Sequence, residues 1–550
     1  MPSGSFSIAL AQLNPTVGDL AGNRKLAEEA AERARRAGAE LVVLTELALT
    51  GYPPLDLLER DGFVRDQLRE LDALAVAARG IAIAIGAALP VERRGGKQLA
   101  NAAVLLENGA RTASQAKTLL PTYDVFDENR YFVPAEARSL ARAGAHAVGL
   151  TVCEDAWVDA IGYPLDPVGE LAQAGAELVL NLSASPFHVG KAAFRRRMLA
   201  DLAAKHRVPI AFVNQVGGND ELVFDGGSCV VDARGRVLAA LPLFEPAFTV
   251  VDLETAPARA MDEVADPPDV EQLAAALVLG IRDYFRKQNL PPGAVIGLSG
   301  GIDSAVTAWL AVEALGRERV LGVAMPGPFS SEHSLKDAFE LGKRLGIEVR
   351  SVDIRPVYDA YRALFAQLFG EKPDYGIAQQ NIQARIRGAL LMAISNAEGR
   401  LVLATGNKSE LSVGYCTLYG DMVGGLAVVG DVYKHDVYAL ARHANRAGEH
   451  IPKSTIEKPP SAELAAGQLD SDDLPPYDAL DAVLAQAIEG GLGPKSVLPP
   501  PGMTPEQAAA IVRRLDRNEY KRRQAPLVLR VSPKAFGAGR RLPIVHRYAL

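Results

Sequence analysis

Short apolar runs alternate with stretches of helical spacing through the first half of the chain. Phe6, Ile8 and Leu10 recur at every second position across residues 5–13, the period of a strand with one buried face. Residues 40–45 (ELVVLT) form a second run. Further strands are expected at 81–89, 102–107, 112–116, 147–152, 178–182, 210–214, 228–232 and 249–253. Helical patterns separate several of them, at 23–38, 63–78, 167–174 and 192–206; the first is rich in Ala, Glu and Arg and stops at Gly38. Residues 231–238 resemble a hairpin. Together these predict a layered α/β domain over residues 1–254 with some antiparallel pairing.

The periodicity then lapses. Residues 255–270 hold Pro257, Pro267, Pro268 and several acids, a composition that predicts a linker. A helix is expected at 271–288. A strand at 294–298, a Gly-rich turn, a helix at 304–315 and a strand at 320–324 follow, and a helix at 334–345 with a strand at 348–354 repeats the unit. Strands alternating with helices predict a parallel, doubly wound sheet over 271–550. Residues 458–476, rich in Pro and Asp, read as an irregular surface segment.

Composition narrows the function more than the fold. Hydrophobic residues at 48% and charged residues at 23% exclude a disordered or fibrous chain. The net charge of −7, from 59 basic and 66 acidic residues, argues against a dedicated nucleic-acid or membrane-surface binder. Three cysteines, Cys153, Cys229 and Cys416, do not make a disulfide framework. The opening Met-Pro-Ser-Gly-Ser-Phe-Ser lacks the pattern of a secretion signal, and no apolar run approaches the ~18 residues of a membrane span. The expectation is a reducing, cytoplasmic compartment. No G-x-G-x-x-G opens a helix, and neither G-x-x-x-x-G-K-[ST] nor H-E-x-x-H occurs, which removes the usual dinucleotide, Walker-type and zinc-protease fingerprints.

Two places carry chemistry. The strand ending Gly297-Leu298 runs into Ser299-Gly300-Gly301-Ile302-Asp303-Ser304 and then a helix. Adjacent glycines let backbone N–H groups approach an oxyanion, the helix N-terminus adds its dipole, Ser299 and Ser304 offer hydroxyls, and Asp303 can ligate Mg²⁺. A plain βα turn with an N-cap is the structural alternative. In the first half, Glu46, Lys117 and Cys153 each follow an expected strand, where α/β folds assemble their sites. Cys153 is a candidate nucleophile, Glu46 a base and Lys117 an ammonium able to steady an oxyanion. Glu154 and Asp155 would disfavour a thiolate, whereas Lys117 would favour one. Singly, each residue also suits a structural role. Spacing alone leaves a Cys–His dyad open, although no His sits at a comparable strand end.

The string from Ser299 to Ser304 resembles the pyrophosphatase loop of the N-type ATP pyrophosphatases. The later series Met325-Pro326, Gln380-Asn381-Ile382-Gln383-Ala384-Arg385, Thr405-Gly406-Asn407-Lys408-Ser409-Glu410, Gly414-Tyr415, Thr417 to Asp421, Tyr433-Lys434 and Glu519-Tyr520-Lys521 is similar to the NAD synthetases within that group. The resemblance implies ATP binding by Gly297, Leu298, Ser299, Gly300, Gly301, Ile302, Asp303, Ser304, Thr405, Lys434 and Ser461. It implies deamido-NAD⁺ binding by Asn381, Arg385, Glu410 and Lys521, and Mg²⁺ at Asp303 and Glu410. Read without it, Asn381 and Arg385 share one helical face, and Glu410 could equally be an exposed helix-start acid.

Thr45-Glu46-Leu47, Thr50-Gly51-Tyr52-Pro53, Lys117-Thr118-Leu119-Leu120, Asp127-Glu128-Asn129-Arg130 and Cys153-Glu154-Asp155 resemble the nitrilase superfamily. That resemblance implies an αββα sandwich, a Glu46–Lys117–Cys153 triad with Glu128 as a second glutamate, and glutamine contacts from Tyr52, Tyr123, Ser185 and Lys191. The two halves together resemble the glutamine-dependent NAD synthetases. They imply glutamine, ATP and deamido-NAD⁺ as substrates, ammonia channelled between domains, a homo-oligomer, and neither nucleic acid nor membrane as partner. Two alternatives stay open on residues alone: another acceptor acid at the ATP site, or a regulatory nucleotide binder with an inactive amidase fold.

Overall fold

The computed structural model describes residues 6–92, 95–290 and 293–548. Ser5, the first residue of the expected opening strand, lies outside them; the strand itself is Ser7–Gln12. The chain divides into two compact units, Met1–Pro268 and Asp269–Leu550.

The first unit is built on two six-stranded sheets. One runs in the order Ala247–Asp252, Ser7–Gln12, Leu41–Val43, Ala82–Pro90, Leu99–Glu107, Ala110–Ala116; the other runs Val237–Ala240, Cys229–Val231, Ile210–Asn214, Leu178–Ser183, His146–Val152, Leu140–Ala143. Alternation decides which faces meet. Ile8, Leu10, Leu41 and Val43 share a core with Val148, Leu150, Leu180 and Leu182, so these side chains fill the space between the sheets. The intervening Ala9, Ala11, Val42 and Leu44 pack instead with Ala27, Ala31, Leu71 and Leu74 of the helices Leu20–Arg36 and Phe63–Ala77. On the other side Val179, Ile210 and Phe212 pack with Leu199, Leu202 and Ala203 of the helix Lys191–His206. The layers are therefore helix, sheet, sheet, helix.

Several boundaries differ from those expected. The helix expected from residue 23 begins at Leu20, because Asp19 accepts the Gly22 amide as its N-cap. Residues 255–270 are tied down rather than free. Arg259 and Val237 exchange backbone hydrogen bonds at 2.9 Å, and Arg196 donates to the Val264 carbonyl at 2.8 Å. Asp269 and Val270 already belong to the helix Asp269–Lys287.

The second unit holds one six-stranded sheet in the order Glu348–Ser351, Val320–Ala324, Ala294–Gly297, Leu401–Ala404, Leu426–Ala427, Leu527–Val528, with each neighbouring pair parallel. The order reverses between Ala294–Gly297 and Leu401–Ala404. That switch point opens a crevice at the strands' carboxyl ends, where doubly wound sheets bind their ligands. The strand expected to reach residue 354 stops at Ser351, and the helix expected from 304 starts at Ile302 with Gly301 as its N-cap.

Candidate functional site

Glu46, Lys117 and Cys153 leave three strands at the same rim of the first unit. Glu46 lies beyond Leu41–Val43, whose extension is held by the Leu44 amide to the Ala84 carbonyl and the Gly86 amide to the Thr45 carbonyl. The backbone at 46–47 crosses so close to Gly86 that a β-carbon there would sit 2.2 Å from the Leu47 nitrogen. Lys117 follows Ala110–Ala116 and Cys153 follows His146–Val152. Cys153 has φ 38°, a left-handed conformation disfavoured for a side-chain-bearing residue and a local strain. Asp155 over-determines that turn: its Oδ1 accepts the amides of Thr118 and Leu119, each at 2.9 Å, and its Oδ2 accepts the Val152 amide at 3.0 Å. One carboxylate thus fastens the segment after Lys117 to the segment carrying Cys153.

The polar groups form a sealed cluster. Lys117 Nζ donates to Glu46 Oε1 and to Glu128 Oε1, both at 2.8 Å. Tyr52 donates to Glu128 Oε1 at 2.9 Å, Asn101 donates to Glu46 Oε1 at 2.7 Å, and the Ala184 amide donates to Glu46 Oε2 at 2.9 Å. Burial alone would push Lys117 down, but Glu128 and Glu46 outweigh it and hold the ammonium well above the usual lysine range. Burial pushes the Cys153 thiol up, Glu46 adds to this, and Lys117 only partly opposes them. Burial also raises Glu128, against Lys117 and with Glu46. Burial and Glu46 thus favour the neutral thiol, while Glu128 and Glu46 favour the charged lysine.

Of the four residues expected to bind glutamine, one belongs to this cluster. Tyr52 touches Glu128 as above. Tyr123 donates to Glu154 Oε1 at 2.8 Å, and Tyr163 donates to the same oxygen at 2.9 Å. The Ser185 amide donates to Asn214 Oδ1 at 2.7 Å. Lys191 donates to the Pro186 carbonyl at 2.8 Å, with its ammonium 5.2 Å from the centre of the Trp157 ring. Sequence reasoning missed Asn101. The signal is a single buried amide in the strand Leu99–Glu107, which is otherwise apolar as far as its last residue, Glu107.

In the second unit a cavity opens at the switch point. Residues 299 and 301–304 line it with Gly297, Leu298, Thr405, Glu410, Lys434 and Ser461. Gly300 supports the loop from behind: its φ is +75°, and a β-carbon would lie 2.3 Å from the Ser334 carbonyl oxygen. Lys434 Nζ donates to Asp303 Oδ2 at 2.6 Å and to Glu410 Oε1 at 3.1 Å. Asn407 caps the helix Lys408–Val413 by accepting the Glu410 amide at 3.0 Å, and it donates to Asp303 Oδ1 at 2.8 Å. Burial pushes the Glu410 carboxyl up to about 8, with Lys434 opposing and Asp303 reinforcing the shift. Burial works against the Lys434 ammonium, but Asp303 and Glu410 raise it well above the lysine range.

Asn381, Arg385 and Lys521 are not in that lining but gather on the 414–418 segment, whose Tyr415 is part of it. Asn381 Oδ1 accepts the Thr417 hydroxyl at 2.9 Å, Arg385 Nε donates to the Leu418 carbonyl at 3.2 Å, and Lys521 Nζ donates to the carbonyls of Gly414 and Cys416 at 2.7 Å. Glu410, expected to stand with them, belongs to the cavity. Arg387 also lines the cavity, donating to the Met325 carbonyl at 3.0 Å, and sequence reasoning missed it too. It shares a helical face with Gln383 and Leu391; a charge on that inward stripe is the available signal.

Comparison with known proteins matches both units. Residues 7–262 match the carbon-nitrogen hydrolase family and residues 273–525 match the NAD synthase family. The glutamine-dependent NAD(+) synthetase of Synechocystis sp. is 45% identical over 99% of both chains. That of Thermotoga maritima is 42% identical over 98% of both. The solved structure of the glutamine-dependent NAD+ synthetase from Acinetobacter baumannii, in complex with ADP, aligns over 98% of both chains with a TM-score of 0.78 and 36% identity. The chain belongs to the glutamine-dependent NAD(+) synthetases, ligases that form a carbon–nitrogen bond with glutamine as the nitrogen source.

Proposed function

We propose that Glu46, Lys117 and Cys153 hydrolyse glutamine, and that the cavity around Asp303, Glu410 and Lys434 activates deamido-NAD⁺ with ATP. Residues 1–254 would form the glutaminase, 271–550 the synthetase, and 255–270 their connection. The observation that carries the reading is the buried ammonium of Lys117, shared between Glu46 and Glu128 at 2.8 Å each beside a strained Cys153.

Glu46 takes the thiol proton as Cys153 Sγ attacks the side-chain amide carbon of glutamine, and Lys117 opposes the charge on the amide oxygen. The C–N bond then breaks, Glu46 returns the proton to the leaving nitrogen, and ammonia departs from a thioester. Water, deprotonated by Glu46, cleaves the thioester to glutamate and restores the thiol. In the second unit, a nicotinate carboxylate oxygen attacks the α-phosphorus of ATP and pyrophosphate leaves. Ammonia attacks the resulting acyl adenylate, loses a proton, and displaces AMP to give NAD⁺. Lys434 is placed to offset phosphate charge. Asn381, Arg385 and Lys521 would hold the dinucleotide.

Among the described residues there is no cluster of three or more His, Cys, Asp or Glu side chains suited to a metal. Mg²⁺ commonly takes only one or two carboxylates together with substrate phosphates, so the Asp303–Glu410 pair, already gathered around one cation in Lys434, fits it. Bound there, Mg²⁺ would neutralise the departing pyrophosphate. Free ammonia is largely protonated near neutral pH, which favours its transfer under protection from solvent. The three cysteines are free, which supports a cytoplasmic site of action; no helix among the described residues is long and apolar enough to cross a membrane.

Cys153→Ala tests the assignment. Synthesis driven by glutamine should vanish while synthesis driven by added ammonium salt persists. Unchanged glutamine use would remove Cys153 from the mechanism. Labelled glutamine with competing external ammonia tests transfer: full dilution of the label in NAD⁺ would rule protection out.

A further inference from the structure

The two helices that bring Glu410 and Lys434 together are fastened to one buried carboxylate. Asp481, on the helix Tyr477–Ile488, is 2% exposed. Its Oδ1 accepts the Ser409 hydroxyl, and its Oδ2 accepts the His435 amide at 3.2 Å and lies 3.0 Å from His435 Nδ1. Ser409 Oγ in turn accepts the Lys434 amide at 2.9 Å. Ser409 is next to Glu410, and His435 is next to Lys434. Each residue gripped by Asp481 is therefore the chain neighbour of a charged group in the cavity.

We propose that Asp481 is a positioning residue for the adenylation step, setting where Lys434 stands relative to Glu410 and Asp303. The inference rests on the assignment of Lys434 to the ATP site. The helix Lys408–Val413 has six residues, too few to hold its own geometry, so its placement must come from tertiary contacts. A buried carboxylate is costly unless its oxygens are bonded, and both oxygens of Asp481 are bonded, each to a different one of the two segments. A support for one helix alone would not need that division. The same helix contributes Tyr477, whose ring centre lies 5.1 Å from Lys434 Nζ. Lys434 is thereby held at its backbone by the Ser409–Asp481 pair and flanked at its head by Tyr477. A displacement of about 1 Å in a group facing reacting phosphates can cost roughly 100-fold in rate.

The test is a mutant cycle on the full chain with ammonia as nitrogen source. Asp481→Asn leaves a single accepting oxygen for donors on two segments, so either Ser409 or His435 then faces an NH₂ group. It should lower kcat by about 10- to 100-fold while KM for ATP changes by less than about threefold. In a Lys434→Ala background the same substitution should add almost nothing, because its effect passes through Lys434. Where Asp481→Asn fails to fold, Ser409→Ala removes one arm of the clamp and enters the same cycle. Losses that multiply in the double variant, or that appear in KM alone, overturn the positioning role and leave the site assignment standing. A Lys434→Ala enzyme that works at the parental rate overturns both.

Discussion

Lys117 and Glu46 meet at 2.8 Å with their side chains 1% and 0% exposed, an ion pair sealed from water. Glu128 approaches the same ammonium, so the pocket holds two carboxylates for one cation. Breaking a buried pair leaves an uncompensated charge, which is worse than never having built it. Lys117→Ala should therefore lower stability by about 3–5 kcal/mol as well as abolish glutaminase activity. Denaturant unfolding checks the first part, and glutamate release checks the second. A variant as stable as the parent would mean that Glu46 or Glu128 is carried neutral.

Gly86 gives a narrower test of the same site. Its place in the strand Ala82–Pro90 is under the crossing backbone of Glu46 and Leu47, with no room for a methyl group. Gly86→Ala must push that crossing outward, and Glu46 with it. Overpacking of this kind costs about 1–3 kcal/mol, which a two-unit enzyme can survive. The folded variant should lose glutamine-driven synthesis and keep ammonia-driven synthesis, measured as NAD⁺ formed from each source. Equal losses with both sources would show that the damage is not confined to the glutaminase.

Residues that sit where a strand stops are legible in the amino-acid sequence: Glu46 and Cys153 each follow an apolar run, Lys117 follows the more polar strand expected at 112–116, and Asp303 follows a glycine turn between a strand and a helix. Legibility fails where function depends on distant segments meeting. Gly86 is required by a crossing 40 residues earlier in the chain, and nothing in its own strand announces this. Asn101, Arg387 and Asp481 each look like one polar residue in a strand or helix until the partner appears. The strands Leu426–Ala427 and Leu527–Val528 are two residues each, too short to display a period, yet they complete one edge of the sheet.

Gly300 should behave in the opposite sense to Gly86. Its left-handed backbone and its contact with the Ser334 carbonyl leave no space for a side chain, and the loop it turns faces the cavity. Gly300→Ala should impair synthesis from glutamine and from ammonia alike, while the Cys153 thioester still forms. Trapping that thioester by acid quench with labelled glutamine separates the two steps. Normal ammonia-driven synthesis in this variant would exclude the loop from the ATP site.

His435 supplies the pH dependence. Asp436 and then Asp481 hydrogen-bond its ring and raise its pKa to about 10 from an ordinary 6.5. A group whose pKa is higher folded than unfolded stabilises fully below the unfolded value, and that contribution is lost as pH rises through the folded value. The second unit should therefore lose this increment between pH 6.5 and about 10. The imidazole is about half exposed, so solvent and salt screen the effect and keep it small. Trp157 and Trp309 are the chain's two tryptophans, one in each unit, so the emission of a Trp157→Phe protein reports on the second unit alone. Its unfolding midpoint should exceed that of the same protein carrying His435→Gln at pH 6.5, and the two should converge by pH 10. A gap that stays constant across that range would mean that the ring acts through packing rather than charge.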